Sequence, residues 1–432
     1  MAAGAQGSRS AGVNALWQFA DEFLQRKLKR AVKNLYRRPV IELARVWRGR
    51  LARPCFIGIT GSAGKTTTKD LLCATLAQRN RCIGNTGSHN QIYNIARTLL
   101  AVRPRTQFCV QEVGLHRPGG FSPMVALLRP QVGIVTNIGQ DHLDAFHSPA
   151  TIAAEKARLI EQLPASGLAV LNADDPHVIA MAARTRARVV TYSLGGPADY
   201  CGEVLQARWP ARLSLRVSYA AESARIDTQL CGAHQAASVL AAVAASHALG
   251  ARWEDAAAAI GAHEPRLGRL SVQHTRRGAT FLRDDLKAPE WSLEAVWEFM
   301  RQAQAPRKLI VLGTISDSEA SPDSIYQHAI AGALSAADYV VWVGEHGPAS
   351  AARWGGEQTG RLQGFATARA AADWLATFVQ SGDLVLLKGS MFADHLARLA
   401  LSMDQEVGCW RRHCPRHIFC DHCRWLRLPM AP

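Results

Sequence analysis

The segment Phe56-Ile57-Gly58-Ile59-Thr60-Gly61-Ser62-Ala63-Gly64-Lys65-Thr66-Thr67-Thr68 carries residue types that bind phosphate. Glycines let the chain bend until its N–H groups face anionic oxygens, and a helix opening at Lys65 would add positive potential. Lys65 can reach the outer phosphates of a nucleoside triphosphate, and the Thr66 hydroxyl can bind magnesium. The eight-residue Walker spacing would need glycine where Ile59 stands. The shorter string Gly61-x-x-Gly64-Lys65-Thr66 survives, with Thr67 beside it, between a predicted strand and a predicted helix. That position makes nucleotide binding the expectation.

A second cluster lies near the end of the sequence. Cys409, Cys414, Cys420 and Cys423 have His413, His417 and His422 among them. Four thiolates can complete a tetrahedral zinc shell, so a structural zinc site is expected. Reduced cysteines in a basic tail, or iron–sulfur ligation, are the alternatives. Arg411, Arg412, Arg416, Arg424 and Arg427, with Trp410, Phe419 and Trp425, would form a cationic, aromatic knob. The knob suits an acidic protein partner, with nucleic acid less expected. Docking on the body of the chain is equally compatible. Cys55, Cys73, Cys82, Cys109, Cys201 and Cys231 are scattered, several in apolar runs, and read as reduced thiols.

Both clusters need a scaffold. Cys55–Thr60, Phe108–Glu112, Val132–Thr136, Leu168–Asn172 and Val189–Tyr192 read as strands, and Lys65–Gln78, Gln91–Ala101 and Ala150–Leu163 as helices. Such alternation predicts a largely parallel sheet covered on both faces. Ala207–Gln229 reads as added β structure and His234–Gly250 as an Ala-rich helix. The alternation resumes with strands at Lys308–Gly313, Tyr339–Gly344 and Asp383–Leu387. The expected fold class is α/β, with a central P-loop-type parallel-sheet domain that binds a nucleotide and a smaller Rossmann-like domain. The expected division is a basic helical extension over 1–54, the central domain over 55–266, the second domain over 267–403 and the Cys/His tail over 404–432. In the extension, Leu16, Ala20, Phe23, Leu24, Leu28, Ala31 and Leu35 recur at helical spacing among Arg and Lys. Docking on the next domain is the expectation there, and contact with a membrane surface or an anionic partner the alternative.

From Phe56 to about Leu399 the motifs resemble those of the Mur ligase family, in family order. Thr60–Thr66 resembles its Thr-Gly-x-x-Gly-Lys-Thr loop. The resemblance implies that Glu112 binds magnesium. Thr136-Asn137-Ile138-Gly139-Gln140-Asp141-His142-Leu143-Asp144 resembles the segment whose histidine, here His142, holds a second magnesium. Ile152-Ala153-Ala154-Glu155-Lys156 resembles the string whose lysine is often carbamylated and helps hold magnesium, here Lys156. Asn172-Ala173-Asp174-Asp175-Pro176 reads as a structural turn. Gly232-Ala233-His234-Gln235-Ala236-Ala237-Ser238 resembles the opening of the adenine-binding helix, with Gln235 and Ser238 where the family has asparagines. Gln235 keeps an amide and Ser238 does not. The resemblance further implies phosphate contact for Arg269, ribose contact for Asp285 and γ-phosphate contact for Lys287. Gly382-Asp383-Leu384-Val385-Leu386-Leu387-Lys388-Gly389-Ser390 looks like the family's late string. The resemblance is closest to the D-alanyl-D-alanine-adding branch. That branch has a full N-terminal domain for a uridine nucleotide, where only a basic helix stands here, so a different acid is expected. The loops around Asn85–Asn90 and His116–Phe121 are expected to face that acid.

The implied chemistry is activation of a carboxylate by ATP as an acyl phosphate, then attack by an amine. Lys65, His142 and Lys156 would be central, with magnesium at Thr66, Glu112, His142 and Lys156. The alternatives are a degenerate nucleotide-binding scaffold and a ligase subunit fed ammonia by an amidotransferase partner. Apolar content of 48% and charged content of 20% suit a globular chain rather than a disordered one. A net charge of +15 favours anionic partners, though Arg-rich composition alone accounts for it equally well. No apolar run is long enough to span a bilayer and no secretory signal is read, so the cytoplasm is the expected location.

Overall fold

The computed structural model describes residues 35–428, apart from 116, 140–142, 317–320, 355–359, 413, 415 and 417. His142 and the first 34 residues of the basic extension therefore lie outside the described residues.

Two sheets organise the chain. The first contains β1 (Cys55–Thr60), β2 (Cys82–Gly84), β3 (Phe108–Glu112), β4 (Val132–Val135), β5 (Leu168–Asn172), β6 (Arg188–Ser193), β7 (Tyr200–Gln206), β8 (Ser214–Tyr219) and β9 (Glu222–Asp227). Their spatial order is β2-β3-β1-β4-β5-β6-β7-β8-β9. Pairing is parallel as far as β7 and antiparallel from β7 to β9. The parallel strands read as unbroken apolar runs because both faces are covered. Along β1, Phe56 faces one core and Ile57 and Ile59 the other. The final strands expose one face, and β9 alternates accordingly.

The second sheet contains β10 (Ser271–His274), β11 (Thr280–Asp284), β12 (Lys308–Leu312), β13 (Tyr339–Val343), β14 (Leu362–Phe365) and β15 (Leu384–Lys388). Its order is β10-β11-β15-β12-β13-β14, parallel except for the β10–β11 pair. It too is buried on both sides, with Ile310 and Leu312 in one cluster and Leu309 and Val311 in the other. The tail packs beneath it, where Val407, Cys420 and Leu426 form a small core with Ala397 and Leu401.

Several elements depart from expectation. β2, β10, β11 and β14 are short strands that the apolar pattern does not mark. β11 ends in Arg283-Asp284, which hides its strand character. The added β structure begins earlier, at Tyr200, and 207–213 is a connection rather than a strand. The Ala-rich helix opens with a 3-10 turn at Ala233–Gln235 and becomes α-helical over Ala236–Ala248.

The described end of the extension is helical over 35–50 and docks on the first sheet's domain. Arg48 is buried there. It donates to the Leu128 and Arg129 carbonyls at 2.8 and 2.7 Å and lies 3.6 Å from the centre of the Phe56 ring. Its other face leaves Leu35, Tyr36, Leu43 and Val46 exposed.

Candidate active site

In parallel α/β sheets, ligands bind beyond the carboxyl ends of the strands. Here those ends are Thr60 of β1, Glu112 of β3, Thr136 just after β4 and Asn172 of β5. After β1 the chain turns through Gly61 (φ 143°) and Gly64 (φ 76°) before the helix Lys65–Ala77 begins. A Cβ at Gly61 would stand 1.9 Å from Thr136 Oγ1, and one at Gly64 would stand 2.5 Å from Ser238 Oγ. Both positions therefore require glycine for backbone angle and for space. Asn137 Oδ1 accepts the Ser62 and Ala63 N–H groups at 3.1 and 2.8 Å. Lys65 Nζ folds back over the loop, donating to the Gly61 and Ser62 carbonyls at 2.6 and 2.8 Å.

The Thr66 hydroxyl donates to Glu112 Oε2 at 2.7 Å. Asn90 Nδ2 donates to Glu112 Oε1 at 2.8 Å, and Asn85 Oδ1 accepts the Glu112 N–H at 2.8 Å. The carboxylate of Glu112 is thus held in one orientation under the loop. Hydroxyl and carboxylate are hard oxygen donors, and magnesium commonly takes one or two such protein ligands beside substrate phosphates and water. The donor set fits that ion. Among the described residues, no three His, Cys, Asp or Glu side chains form a ready metal-holding group.

Lys156 reaches the loop from the helix Pro149–Glu161. Ser148 caps that helix by accepting the Thr151 N–H at 3.2 Å, and Pro149 fits its first turn. Ile152, Lys156, Leu159 and Ile160 form its buried face. The helix packs close because β1 and β4 present Gly58 and Gly133 to it; a Cβ at Gly58 would stand 2.6 Å from Leu159 Cδ1. Lys156 is 0% exposed, and its Nζ donates to Ser62 Oγ at 2.9 Å. A solvated helix lysine is thereby ruled out.

The second sheet turns strand ends toward the same place. Arg269 Nη2 lies 3.4 Å from Thr66 Oγ1. Arg266 makes a two-pronged ion pair with Asp70 of the phosphate-loop helix, one arm at 2.9 Å. Burial alone would raise the Asp70 pKa; the Arg266 hydrogen bond and the Lys69 charge outweigh it and hold the carboxyl below its ordinary range. At the end of β11, Asp285 is buried and its pKa is raised by burial. Lys388, ending β15, donates to Asp284 Oδ2 at 2.6 Å. Asp394 ties the ends of β12 and β15 together by accepting the Thr314 and Ser390 N–H groups, each at 2.7 Å.

The structure thus brings Gly61, Gly64, Lys65, Thr66, Glu112, Lys156 and Arg269 together. Thr67 is half-buried in the helix behind them. Gln235 sits in the 3-10 turn with Nε2 3.5 Å from His234 Nε2. Ser238 is buried against the phosphate loop. Lys287 is exposed, and the buried lysine of this edge is Lys388. Asn90 donates to the Glu112 carboxylate, and Asn85 bonds the Glu112 backbone. Asn137, Asp175 and Asp394 escaped sequence reasoning. Asp175 does more than form a turn, since its Oδ2 accepts the Ile138 N–H at 2.6 Å. Asn137 directly follows a predicted strand, Asp175 was legible only as part of a turn, and no local pattern marked Asp394.

Comparison with known proteins gives a consistent picture. Residues 59–246 match the Mur ligase middle domain, and residues 268–391 match the Mur ligase glutamate ligase domain. The UDP-N-acetylmuramoyl-tripeptide–D-alanyl-D-alanine ligase of Mycobacterium bovis is 35% identical over 76% of this chain and 66% of that protein. The ligase of that name from Mycobacterium leprae is 31% identical over 82% of this chain and 73% of its own length. The chain belongs to the Mur ligase family. A crystal structure of MurF from Acinetobacter baumannii superposes with a TM-score of 0.75 at 24% identity, covering 85% of this chain and 80% of that one. The α/β fold with two parallel-dominant sheets is therefore the Mur ligase fold. This Mur ligase spans just under two thirds of the length of the mycobacterial relative it matches at 35% identity. Among its described residues, no helix is long and apolar enough to cross a membrane.

Proposed function

We propose that this Mur ligase joins a carboxylate to an amine at the expense of ATP, through an acyl phosphate, releasing ADP and phosphate. The observation that carries the proposal is Lys156, fully buried yet directed at the phosphate loop, where its Nζ meets Ser62 Oγ. Burying a lysine is costly, and one aimed at a nucleotide loop is a functional group before it is a packing group.

In this reading Gly61–Thr67 cradles the phosphates and Lys65 leaves the loop carbonyls to meet the terminal phosphate. The acid attacks that phosphorus, the bond to the ADP oxygen breaks, and the amine then displaces phosphate from the acyl carbon. Arg269 approaches from the second sheet to neutralise charge, and Asp285 holds the ribose. Gln235 lies at the base end, and Lys287 would have to swing inward to reach the γ-phosphate. Magnesium, held by Thr66 and Glu112 and, on the family resemblance, by His142 and a carbamylated Lys156, would supply further neutralisation of the two reacting anions. Closure of the second sheet's domain would keep water from the acyl phosphate.

An intact Thr66–Glu112–Asn90 chain with Lys156 favours this over a degenerate scaffold. The test is ADP release that depends on both an added acid and an added amine, with hydroxylamine trapping the acyl phosphate. Lys65→Ala should lower kcat by about 10²–10³-fold, as for other preorganised charges. Near-normal turnover in that variant refutes the assignment.

A further inference from the structure

The tail carries chemistry that the ligase reaction does not use. Cys409, Cys414, Cys420 and Cys423 all line one narrow cavity of about 10 Å³, room for a single water-sized body. None of them is in a disulfide. Arg398 lines the same cavity and is 2% exposed. It donates to the Arg411 carbonyl at 2.8 Å and shares the cavity wall with Cys420. Among the described residues it has no carboxylate within ion-pair distance. A buried guanidinium without a counter-charge is strongly destabilising. His395, also 2% exposed, adopts a left-handed conformation (φ 52°) that places Nδ1 3.6 Å from Cys420 Sγ. Its Nε2 is buried with no hydrogen-bond partner.

We propose that the four thiols bind one zinc ion, and that this ion braces the nucleotide-facing edge of the second sheet. Each thiol gives up its proton on ligation. Four thiolates around a divalent cation carry two net negative charges, which supply the counter-charge that Arg398 lacks. All four sulfurs line one cavity, which gives a single ion one place to meet them, and zinc uptake would draw the tail together around it. The brace runs through Asp421, between Cys420 and Cys423, which accepts both arms of Arg283 at 2.5 and 3.0 Å. Arg283 Nε in turn lies 3.7 Å from Asp285 Oδ1. The brace rests on the proposed role of Asp285 at the ribose; the zinc site does not.

The test is zinc content of the purified full chain by mass spectrometry, with a mercurial titration read by a zinc-sensitive dye. One zinc per chain, released as the thiols react and absent from Cys420→Ser/Cys423→Ser but present in Cys55→Ser, is the expected result. Should the double variant fail to fold, the titration of the natural chain decides. A zinc-free chain, or iron with labile sulfide, overturns the site. For the brace, Asp421→Asn should keep zinc and weaken ATP binding by roughly ten-fold in calorimetry, with Asp421→Glu restoring it. Unchanged ATP affinity in Asp421→Asn overturns the brace. Neither measurement requires ligation, so loss of the ligase reading would leave the zinc result standing.

Discussion

Lys156 and Glu112 are expensive residues in their positions. Each is an ionisable side chain removed from water, and each is held by the phosphate loop or by the loop that follows β2. Such groups cost stability, and their worth is realised when charge develops nearby. Lys156→Met should leave a folded chain whose turnover falls by about 10²-fold or more, measured as acid-dependent ADP release. Asn90→Ala removes the donor that fixes Glu112 Oε1 at 2.8 Å and should raise the magnesium concentration needed for half-maximal activity by about ten-fold, as outer-shell changes do. Magnesium titrations of both proteins check it. The two residues differed in legibility. Lys156 stood in a recognisable string, whereas Asn90 was legible only as part of a loop expected to face the acid. Its hydrogen bond to Glu112 is a contact across 22 positions that no local pattern encodes.

At the scale of elements, the phosphate loop meets the Ala-rich helix at Ser238. Gly64→Ala introduces left-handed strain and a Cβ 2.5 Å from Ser238 Oγ. Nucleotide affinity should fall by about ten-fold or more, and Ser238→Ala in the same chain should restore part of it by removing the clash but not the strain. Calorimetric titration with ADP separates the two contributions. The helix Lys65–Ala77 is fastened to the second sheet's entry through Asp70 and Arg266. Because the Asp70 pKa is depressed on folding, its contribution is present above the ordinary carboxylate value of about 3.9 and is lost as pH falls through the lower folded value. Melting temperatures measured from pH 6 to below about 4 should fall less steeply for Asp70→Asn. Its loss near neutrality should be only about 1 kcal/mol, since Arg266 is 40% exposed and screened. The core parallel strands were legible because two-sided burial writes itself as apolar runs. β11 was not, because its charged end serves the site.

Across the whole molecule, the two sheets turn their strands' carboxyl ends toward one place, and Trp209 and Cys231 pack into the second sheet's core. Arg269 comes from the second sheet's side to within 3.4 Å of Thr66 Oγ1. Arg269→Ala should lower kcat/KM for ATP by about ten-fold, roughly 1.4 kcal/mol, with little change in melting temperature. Steady-state kinetics and thermal denaturation of the same preparation test it. The order of motifs carried the two-sheet plan in the sequence; the meeting of the sheets did not, because it depends on side chains 203 positions apart.

Asn137 carries one more consequence. Its amide oxygen accepts the Ser62 and Ala63 N–H groups, so hydrogen bonds within the protein fix the curvature of the turn. A ligand arriving there meets a mould already set instead of a slack strap that must be gathered. The entropic penalty of capture should be small and the encounter correspondingly quick. Replacing Asn137 by alanine should slow that encounter and shift the binding signature toward a larger opposing entropy, visible in stopped-flow and calorimetric traces.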